Sequence, residues 1–407
     1  MNHKEWLLAD KNIQYRTINA MIKEHIVSEG MRIKEGTRKV EIFLNDHLLS
    51  LKVARKSALK RYVFTGDIVL ENKKLSQSVE SLEELLQILT EIFHINISKR
   101  LYDELIHSRD SLYETYKHFY NRQTLIHQSM KFSKLPDSIN FIAWLQHLQD
   151  SGITDDLSYS ESLVIEGHPT HPLTKTKLPL STNELKLYAP EFEKVIPLNI
   201  MLIEKNHVVT TAINDDQNFI LNQVIPEYRD RLKCYLEPLR LNLNDYRVML
   251  IHPWQYDHTI GEQFEEWIAK KILLPTPFTV ESKATLSFRT MDLIHTPYHV
   301  KLPVNVQATS AVRTVSSVTT VDGPKLSHAL QGLLQEFPEL QVAMEPFGAY
   351  AHTASDLSKQ LALIIRQKPT IYDYGCTVVT ASLVNPNPID NQAVVDLSLI
   401  HISEPTR

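Results

Sequence analysis

The chain has 407 residues, 43% hydrophobic and 22% charged, with a formal net charge of −5. This length predicts roughly two or three domains of ordinary globular composition, and the slight acidity excludes a general attraction to nucleic acid or anionic membrane, so any basic site must be local. Cys234 and Cys376 are too few for a disulfide framework or a cysteine-based zinc site, and with no membrane-length apolar run and no signal-peptide h-region the chain is expected to be soluble and cytoplasmic.

The first 150 residues read as mainly helical with a β insertion. Short β-type runs at Val40–Leu44, Leu49–Val53, Tyr62–Phe64 and Ile68–Leu70 predict a small meander. Ser81-Leu-Glu-Glu84 is a capping-box pattern, and Leu82, Leu85, Leu86, Leu89 and Phe93 follow it at helical spacing. The aromatics between Tyr102 and Phe141 lack an interleaved basic stripe, which predicts core and helix contacts rather than a base-stacking platform. Pro136-Asp137-Ser138 marks a fresh helix start. Beyond residue 150 the apolar runs Ile196–Ile203, Val248–Ile251 and Val342–Met344 alternate with helical stretches near 217–236, 256–273, 325–336 and 355–366. The pattern is that of an α+β or mixed-sheet domain, with no repeat and no low-complexity linker.

Chemistry concentrates in three places. Glu166-Gly-His-Pro-Thr-His-Pro-Leu-Thr-Lys-Thr-Lys177 holds two His-Pro pairs followed by Lys175 and Lys177. Proline fixes its own φ and disfavours helix in the residue before it, so a stiff, extended loop presenting two imidazoles and two ammonium groups is expected, suited to a polyanion. Read as a strand, Lys283–Thr290 places Lys283, Thr285, Ser287 and Arg289 on one face and Ala284, Leu286 and Phe288 on the other. The same split from Lys301 to Thr309 groups Lys301, Asn305, Gln307 and Thr309 against Leu302, Val304, Val306 and Ala308, and Arg313 closes the segment. Two such strands make an anion-binding wall: arginine forks onto phosphate, lysine supplies a compact charge, and hydroxyls donate to oxygens. Each strand alone also fits a solvated amphipathic face. The third place is Ile251-His-Pro-Trp-Gln255, where His252 either caps a strand end or serves a site, and Trp254 is expected in the core. Neither glycine-rich phosphate motif, G-x-x-x-x-G-K-[ST] or G-x-G-x-x-G, occurs, so cationic side chains must do that work if a nucleotide binds.

Gly167-His-Pro-Thr-His-Pro172 with Lys175, His252-Pro-Trp-Gln255, Ser287-Phe-Arg-Thr290, Lys301-Leu-Pro303 and Thr309-Ser-Ala-Val-Arg313, in this order, resemble the NRPS-independent siderophore synthetases, the aerobactin-synthetase-like IucA/IucC family. The resemblance covers roughly 150–385 well and the N-terminal part more loosely. It implies a cupped-hand α+β fold of thumb, fingers and palm. Residues 1–150 would form the mainly helical thumb-like domain, 151–340 the ATP-binding fingers-like domain and 341–396 the start of a palm. It implies ATP, Mg²⁺, and a citrate-like hydroxy-polycarboxylic acid that is adenylated and then condensed with an amine or hydroxyl. Family members are often dimeric. By the same resemblance Ser287, Arg289, Thr290, Lys301, Thr309 and Arg313 form the nucleotide and phosphate wall. His168, His171 and Lys175 belong to the loop closing over the phosphates, with Arg289 also touching the acid. Lys177 stands where the family often has Arg, and Pro179 where it often has Gly; lysine keeps the charge but loses the bidentate fork. The family's acidic, His and Asn ligands for Mg²⁺ lie in the later palm, so no metal ligand is assigned. Two other classes stay open: a zinc hydrolase using His168 and His171, which lacks a third ligand nearby, and a non-catalytic binding protein.

Leu397-Ser-Leu-Ile-His-Ile-Ser-Glu-Pro-Thr-Arg407 reads like a translated sequencing adapter. The natural sequence is therefore expected to depart near Asp396, leaving an incomplete palm, an interrupted core around Val378-Val379 and Leu383-Val384, and an inactive fragment.

Overall fold

In the computed structural model of the chain, residues 3–57, 61–132, 141–151, 156–168, 170–337, 340, 342–353, 356–368, 378–387, 389 and 393 are described. The chain opens with helix α1 (His3–Lys23) and an antiparallel meander of β1 (Arg32–Glu35), β2 (Lys39–Leu44), β3 (His47–Ser57), β4 (Arg61–Glu71) and β5 (Ser76–Ser78), in that spatial order. Along β2 every second residue, Val40, Ile42 and Leu44, is buried, as period two demands of a half-covered sheet. Tyr62–Phe64 and Ile68–Leu70, expected as separate runs, belong to the single strand β4. Register shifts between Ser50 and Lys52 and between Val53 and Arg55 let β3 and β4 stay paired through the irregularity.

Helix α2 (Leu82–Glu91) buries Leu82, Leu85, Leu86, Ile88 and Leu89. Its capping box is one-sided: Ser81 Oγ accepts from the Glu84 N–H, but the Glu84 carboxylate accepts from Glu80 N at 2.7 Å instead of from Ser81. Then follow α3 (Lys99–Phe132), α4 (Phe141–Asp150) and α5 (Asp156–Ser162). The expected helix start at Pro136–Ser138 lies outside the described residues.

The second half is built on an eight-stranded sheet of order β8-β15-β16-β12-β11-β10-β7-β9. Its strands are β7 (Val195–Glu204), β8 (Val208–Ala212), β9 (Tyr246–Ile251), β10 (Leu273–Ala284), β11 (Thr290–Leu293), β12 (Tyr298–Lys301), β15 (Phe347–Ala351) and β16 (Ala362–Gln367). Every pairing in it is antiparallel, so of the two readings the sequence left, α+β or mixed sheet, the α+β one is what forms. Ile200, Met201, Leu202 and Ile203 are all fully buried, because this sheet is covered on both faces. Its covering elements include α6 (Thr182–Tyr188), α7 (Arg229–Leu236), the short helical turns α8 (Pro253–Gln255), α9 (Gly261–Gln263) and α10 (Glu265–Ala269), and α11 (Ser317–Leu334). Packing of α11 on β15 is so close that a Cβ on Gly348 would stand 2.0 Å from the Thr320 carbonyl oxygen.

Two sequence expectations fail here. The stretch 355–366 is not a helix; a short 3-10 turn at Asp356–Gln360 leads into strand β16, and Leu361, Ala362, Leu363, Ile364 and Ile365 are fully buried. A short run apolar throughout carries no period that separates buried strand from buried helix. Val342–Met344 is irregular chain, and the strand begins at Phe347. A small sheet of order β14-β13-β6, from β6 (Lys177–Leu178), β13 (Gln307–Ala308) and β14 (Ala311–Val312), ties the His-Pro segment to the segment after Lys301. Among the described residues no helix is long and apolar enough to cross a membrane.

Candidate functional site

The His-Pro segment is compact, not extended. Turns at Thr170 and Pro172–Lys175 fold it, and only glycine suits position 167, where φ is +66° and a Cβ would lie 2.3 Å from Thr174 Oγ1. Helix α3 anchors it with a polar stripe at helical spacing. The Glu104 carbonyl accepts from Thr176 Oγ1 at 3.0 Å. Ser108 Oγ donates to Pro172 O and accepts from Lys175 N. Thr115 Oγ1 donates to Glu191 at 3.2 Å. On the other side Arg16 of α1 donates to the His168 carbonyl and pairs with Glu166 at 3.1 Å, and Tyr116 donates to the same carboxylate at 2.6 Å.

All three described His-Pro histidines adopt one local geometry. His168 Nδ1 accepts from Thr170 N at 3.3 Å, His171 Nδ1 from Leu173 N at 3.1 Å, and His252 Nδ1 from Trp254 N at 3.1 Å. Proline between the partners has no N–H of its own to offer, so the amide two residues on reaches the ring. An accepting Nδ1 puts the proton of the neutral ring on Nε2. Each ring therefore presents an Nε2–H donor, with its only lone pair already engaged. His252 is the structural case: it caps α8, packs 4.9 Å from the Tyr188 ring, and burial pulls it down to about 3. Trp254 is buried as expected.

A cavity of about 290 Å³ gathers His168, Lys175, Lys177, Thr309 and Arg313 with Gly167, Glu191 and Leu286. Lys175 is not displayed on a loop surface. It is buried and paired with Glu191 at 2.5 Å. Burial alone would raise the Glu191 carboxyl, but Lys175 and then Lys177 hold it below its ordinary range. Lys177 lies over the Phe288 ring at 5.7 Å, and burial followed by the neighbouring Lys175 charge lowers it to about 8. Arg313 donates to Thr309 Oγ1 at 3.3 Å, while its buried Nε has no partner. The cavity thus sets three cations against one carboxylate, and that carboxylate is occupied by Lys175.

Arg289 and Lys301 form a second cationic group beside the first. Burial, then Arg313 and Arg366, lower Arg289; burial, then chiefly Arg289, lowers Lys301. Arg289 donates to the Thr314 carbonyl, and Arg366 pairs with Glu345 at 2.8 Å. The continuous strand expected through Arg289 is absent: β10 ends at Ala284, and a turn carries Thr285–Arg289 with Phe288 at φ +63°. Consequently Thr285 and Ser287 stabilise the turn. Thr285 Oγ1 donates to Thr290 O at 2.8 Å, and Ser287 Oγ accepts from Thr290 N at 2.9 Å. Thr290 itself is buried in β11 opposite Lys301. The later split survives without a continuous strand, since Leu302, Val304, Val306 and Ala308 are buried while Thr309 adopts φ +57° at the cavity. Backbone in this region is uncommon for non-glycine residues and collects at functional sites.

His171 lines a different cavity from the cations, on the far side of the same segment; its ring stands edge-on to His168 at 6.3 Å. Three participants have no local sequence signature: Glu191, Arg366 and the carboxylate of Glu161, which accepts from Leu286 N at 2.7 Å. On α3 the clue a sequence could offer is Ser108 and Thr115, seven residues apart on one face; Glu104 meets the segment through its backbone carbonyl. Among the described residues no group of three or more His, Cys, Asp or Glu could hold a metal ion, so none is assigned to Mg²⁺ or zinc.

Residues 156–385 match the model of the IucA / IucC family. A staphyloferrin A synthase of Staphylococcus aureus is 62% identical over 396 residues, covering 97% of this chain and 68% of that protein. A D-ornithine–citrate ligase of the same species is 24% identical over 355 residues, covering 82% and 51%. The ATP-bound aerobactin synthetase IucA of Klebsiella pneumoniae superposes with a TM-score of 0.68 at 17% identity, covering 96% of this chain and 67% of that one.

Proposed function

The chain belongs to the IucA / IucC family of siderophore ligases, and from that membership we propose that it uses ATP to adenylate a carboxylate of citrate or a related hydroxy-polycarboxylic acid and joins it to an amine or hydroxyl. The observation that carries this reading is the cationic cavity. Lys177 and Arg313, with Arg289 and Lys301 beside them, are partly desolvated and close to like charges, while Lys175 is already paired with Glu191; the arrangement is costly unless an anion of high charge relieves it. A triphosphate brought against a polycarboxylate is such a load. The fixed cations would offset the ground-state repulsion and the charge that develops at the α-phosphorus.

In this reading the partnerless Arg313 Nε and the Lys177 ammonium meet phosphate oxygens, His168 adds an Nε2–H, and Arg289 and Lys301 extend the wall towards the acid. An oxygen of the acid attacks the α-phosphorus and pyrophosphate leaves. The amine then attacks the activated carbonyl carbon, the bond to AMP breaks, and the amine's proton passes to solvent. Ser287 and Thr290 support the turn that holds Arg289. ATP comes to the reading from the family and from the nucleotide-bound relative, citrate from the citrate-ligase relative.

Calorimetric titration of the chain with ATP, beside pyrophosphate release with and without citrate, tests the proposal. Micromolar ATP binding that weakens steeply with salt is expected, and absence of ATP binding would overturn the proposal. Citrate-dependent release from the chain would overturn the expectation of an inactive fragment.

A further inference from the structure

Lys175 and Lys177 line the same cavity of about 290 Å³ but stand in it differently. Lys175 is buried and held by Glu191, which also accepts from Thr115. Among the described residues Lys177 makes no ion pair and no side-chain hydrogen bond; its ammonium lies over the Phe288 ring instead. Its place is fixed by strand pairing, since β6 sets Lys177 opposite Ala308 of β13. The charges around it are Lys175, Glu191 and Arg313, and the His107 ring of α3 feels the Lys177 charge in turn. Burial and Lys175 lower the amine to about 8, so near that pH it is available in its neutral form. Only the neutral amine has a lone pair with which to attack a carbonyl carbon.

The rest of the cavity suits a small phosphate ester. Arg313 keeps a buried Nε without a partner and reaches Thr309 Oγ1 at 3.3 Å, a pair able to hold phosphate oxygens. Leu286, Ala381 and Val384 offer apolar surface to a flat ring. The remaining polar groups would not oppose an anion: Glu191 is occupied by Lys175, and Thr174 Oγ1 donates to the Glu166 carbonyl at 3.0 Å. We propose that Lys177 is a covalent modification site for phosphorylated aldehydes, resting on the anion-binding part of the reading above and not on its ligase chemistry. The Nζ lone pair attacks the aldehyde carbon, the C=O π pair moves onto oxygen, and a proton passes from nitrogen to that oxygen. The carbinolamine then expels water and leaves a C=N bond, with no oxidant or reductant involved. A cavity filled in this way no longer admits a triphosphate, so the adduct is a reversible brake on nucleotide binding.

Pyridoxal 5′-phosphate is the probe. The whole chain is treated with a limiting amount at about pH 8, reduced with borohydride to fix the imine as a secondary amine, and mapped by peptide mass spectrometry. One pyridoxyl group on Lys177 is expected, with Lys175 unlabelled. Pyridoxal has the ring and the aldehyde but no phosphate, and should label Lys177 roughly tenfold less at equal concentration. Arg313→Ala should erase most of that difference. Lys177→Arg keeps the charge but cannot form the imine, and should lose the label. The wild-type map decides even where Lys177→Arg fails to fold. Label scattered over exposed lysines, or equal labelling by pyridoxal and its phosphate, overturns the proposal. Calorimetry with ATP separates this outcome from that of the nucleotide reading. Phosphate-dependent label on Lys177 in a chain that does not bind ATP supports the site and counts against that reading; ATP binding with no label on Lys177 does the reverse.

Discussion

Arg313 and Lys177 carry most of the argument at the scale of single residues, for opposite reasons. Arg313 keeps its charge at any accessible pH and has an unused buried N–H. Arg313→Ala should weaken ATP binding by about 1.5–3 kcal/mol, the range for a hydrogen bond to a charged group, with a melting temperature within a degree or two of wild type. Unchanged calorimetric affinity would remove it from the wall. Lys177, lowered to about 8 from the usual 10.5, can lose its proton. Between those values the unfolded chain holds a proton that the folded one has released, so stability rises with pH through that window and the cost of the buried charge remains below it. Phosphate beside the ammonium restores the proton. ATP binding at pH 8.5 should therefore take up protons, visible as a dependence of the binding enthalpy on buffer ionisation heat, and Lys177→Met should abolish that dependence. An arginine here could not behave this way.

Among the elements, α5 and the Thr285–Arg289 turn are joined by Glu161, which burial raises to about 7 from the usual 4.5, with Asp292 adding to the rise. The folded chain keeps this proton where the unfolded one has lost it. Its contribution is whole below pH 4.5 and is lost as pH rises through 7. Glu161→Gln, neutral throughout, should melt close to wild type at pH 5 but gain up to about 3 kcal/mol at pH 8, read from melting curves at the two values. An equal difference at both would mean that Glu161 is ionised in the fold. Elements with long, clear patterns were legible: α2 from its apolar spacing, and β7 and β9 from apolar runs bounded by polar chain. Strand β16 was not, because Leu361–Ile365 is apolar at every position. The turn at Thr285–Arg289 was hidden by a strand-like alternation, and only Phe288 at positive φ, invisible in a side-chain pattern, bends the chain there.

For the molecule as a whole, the cavity exists because distant segments meet. Ala381 and Val384 line it, although they follow Lys175 by some two hundred positions. Asn385 locks them in place, accepting from Glu166 N at 2.8 Å and donating to Ala381 O at 2.9 Å while almost fully buried. Asn385→Ala should cost about 1–3 kcal/mol by orphaning those groups. It should also speed hydrogen exchange at the Glu166 amide and loosen ATP binding; slow exchange with normal stability would show the segment to be held elsewhere. Sequence named His168, Lys175, Thr309 and Arg313 through motifs that resemble the family's, and it showed Lys177 in the His-Pro segment without assigning it to the wall. It had no means to name Glu191 as the partner of Lys175, since ion pairing between separate segments leaves no local trace.

Helix α3 has a mechanical consequence. At about 1.5 Å per residue, its 34 residues make a rod roughly 50 Å long. Along that length it meets Gln307 through Arg100, the His-Pro segment through Glu104 and Ser108, Glu191 through Thr115, Glu193 through Arg122, and Ile389 through His127. Fastened at so many stations, α3 works as a beam. A shift of α3 would therefore carry the His-Pro segment and Glu191 with it. Stiffness in one member thus gives the cavities on either side of the His-Pro segment a common support.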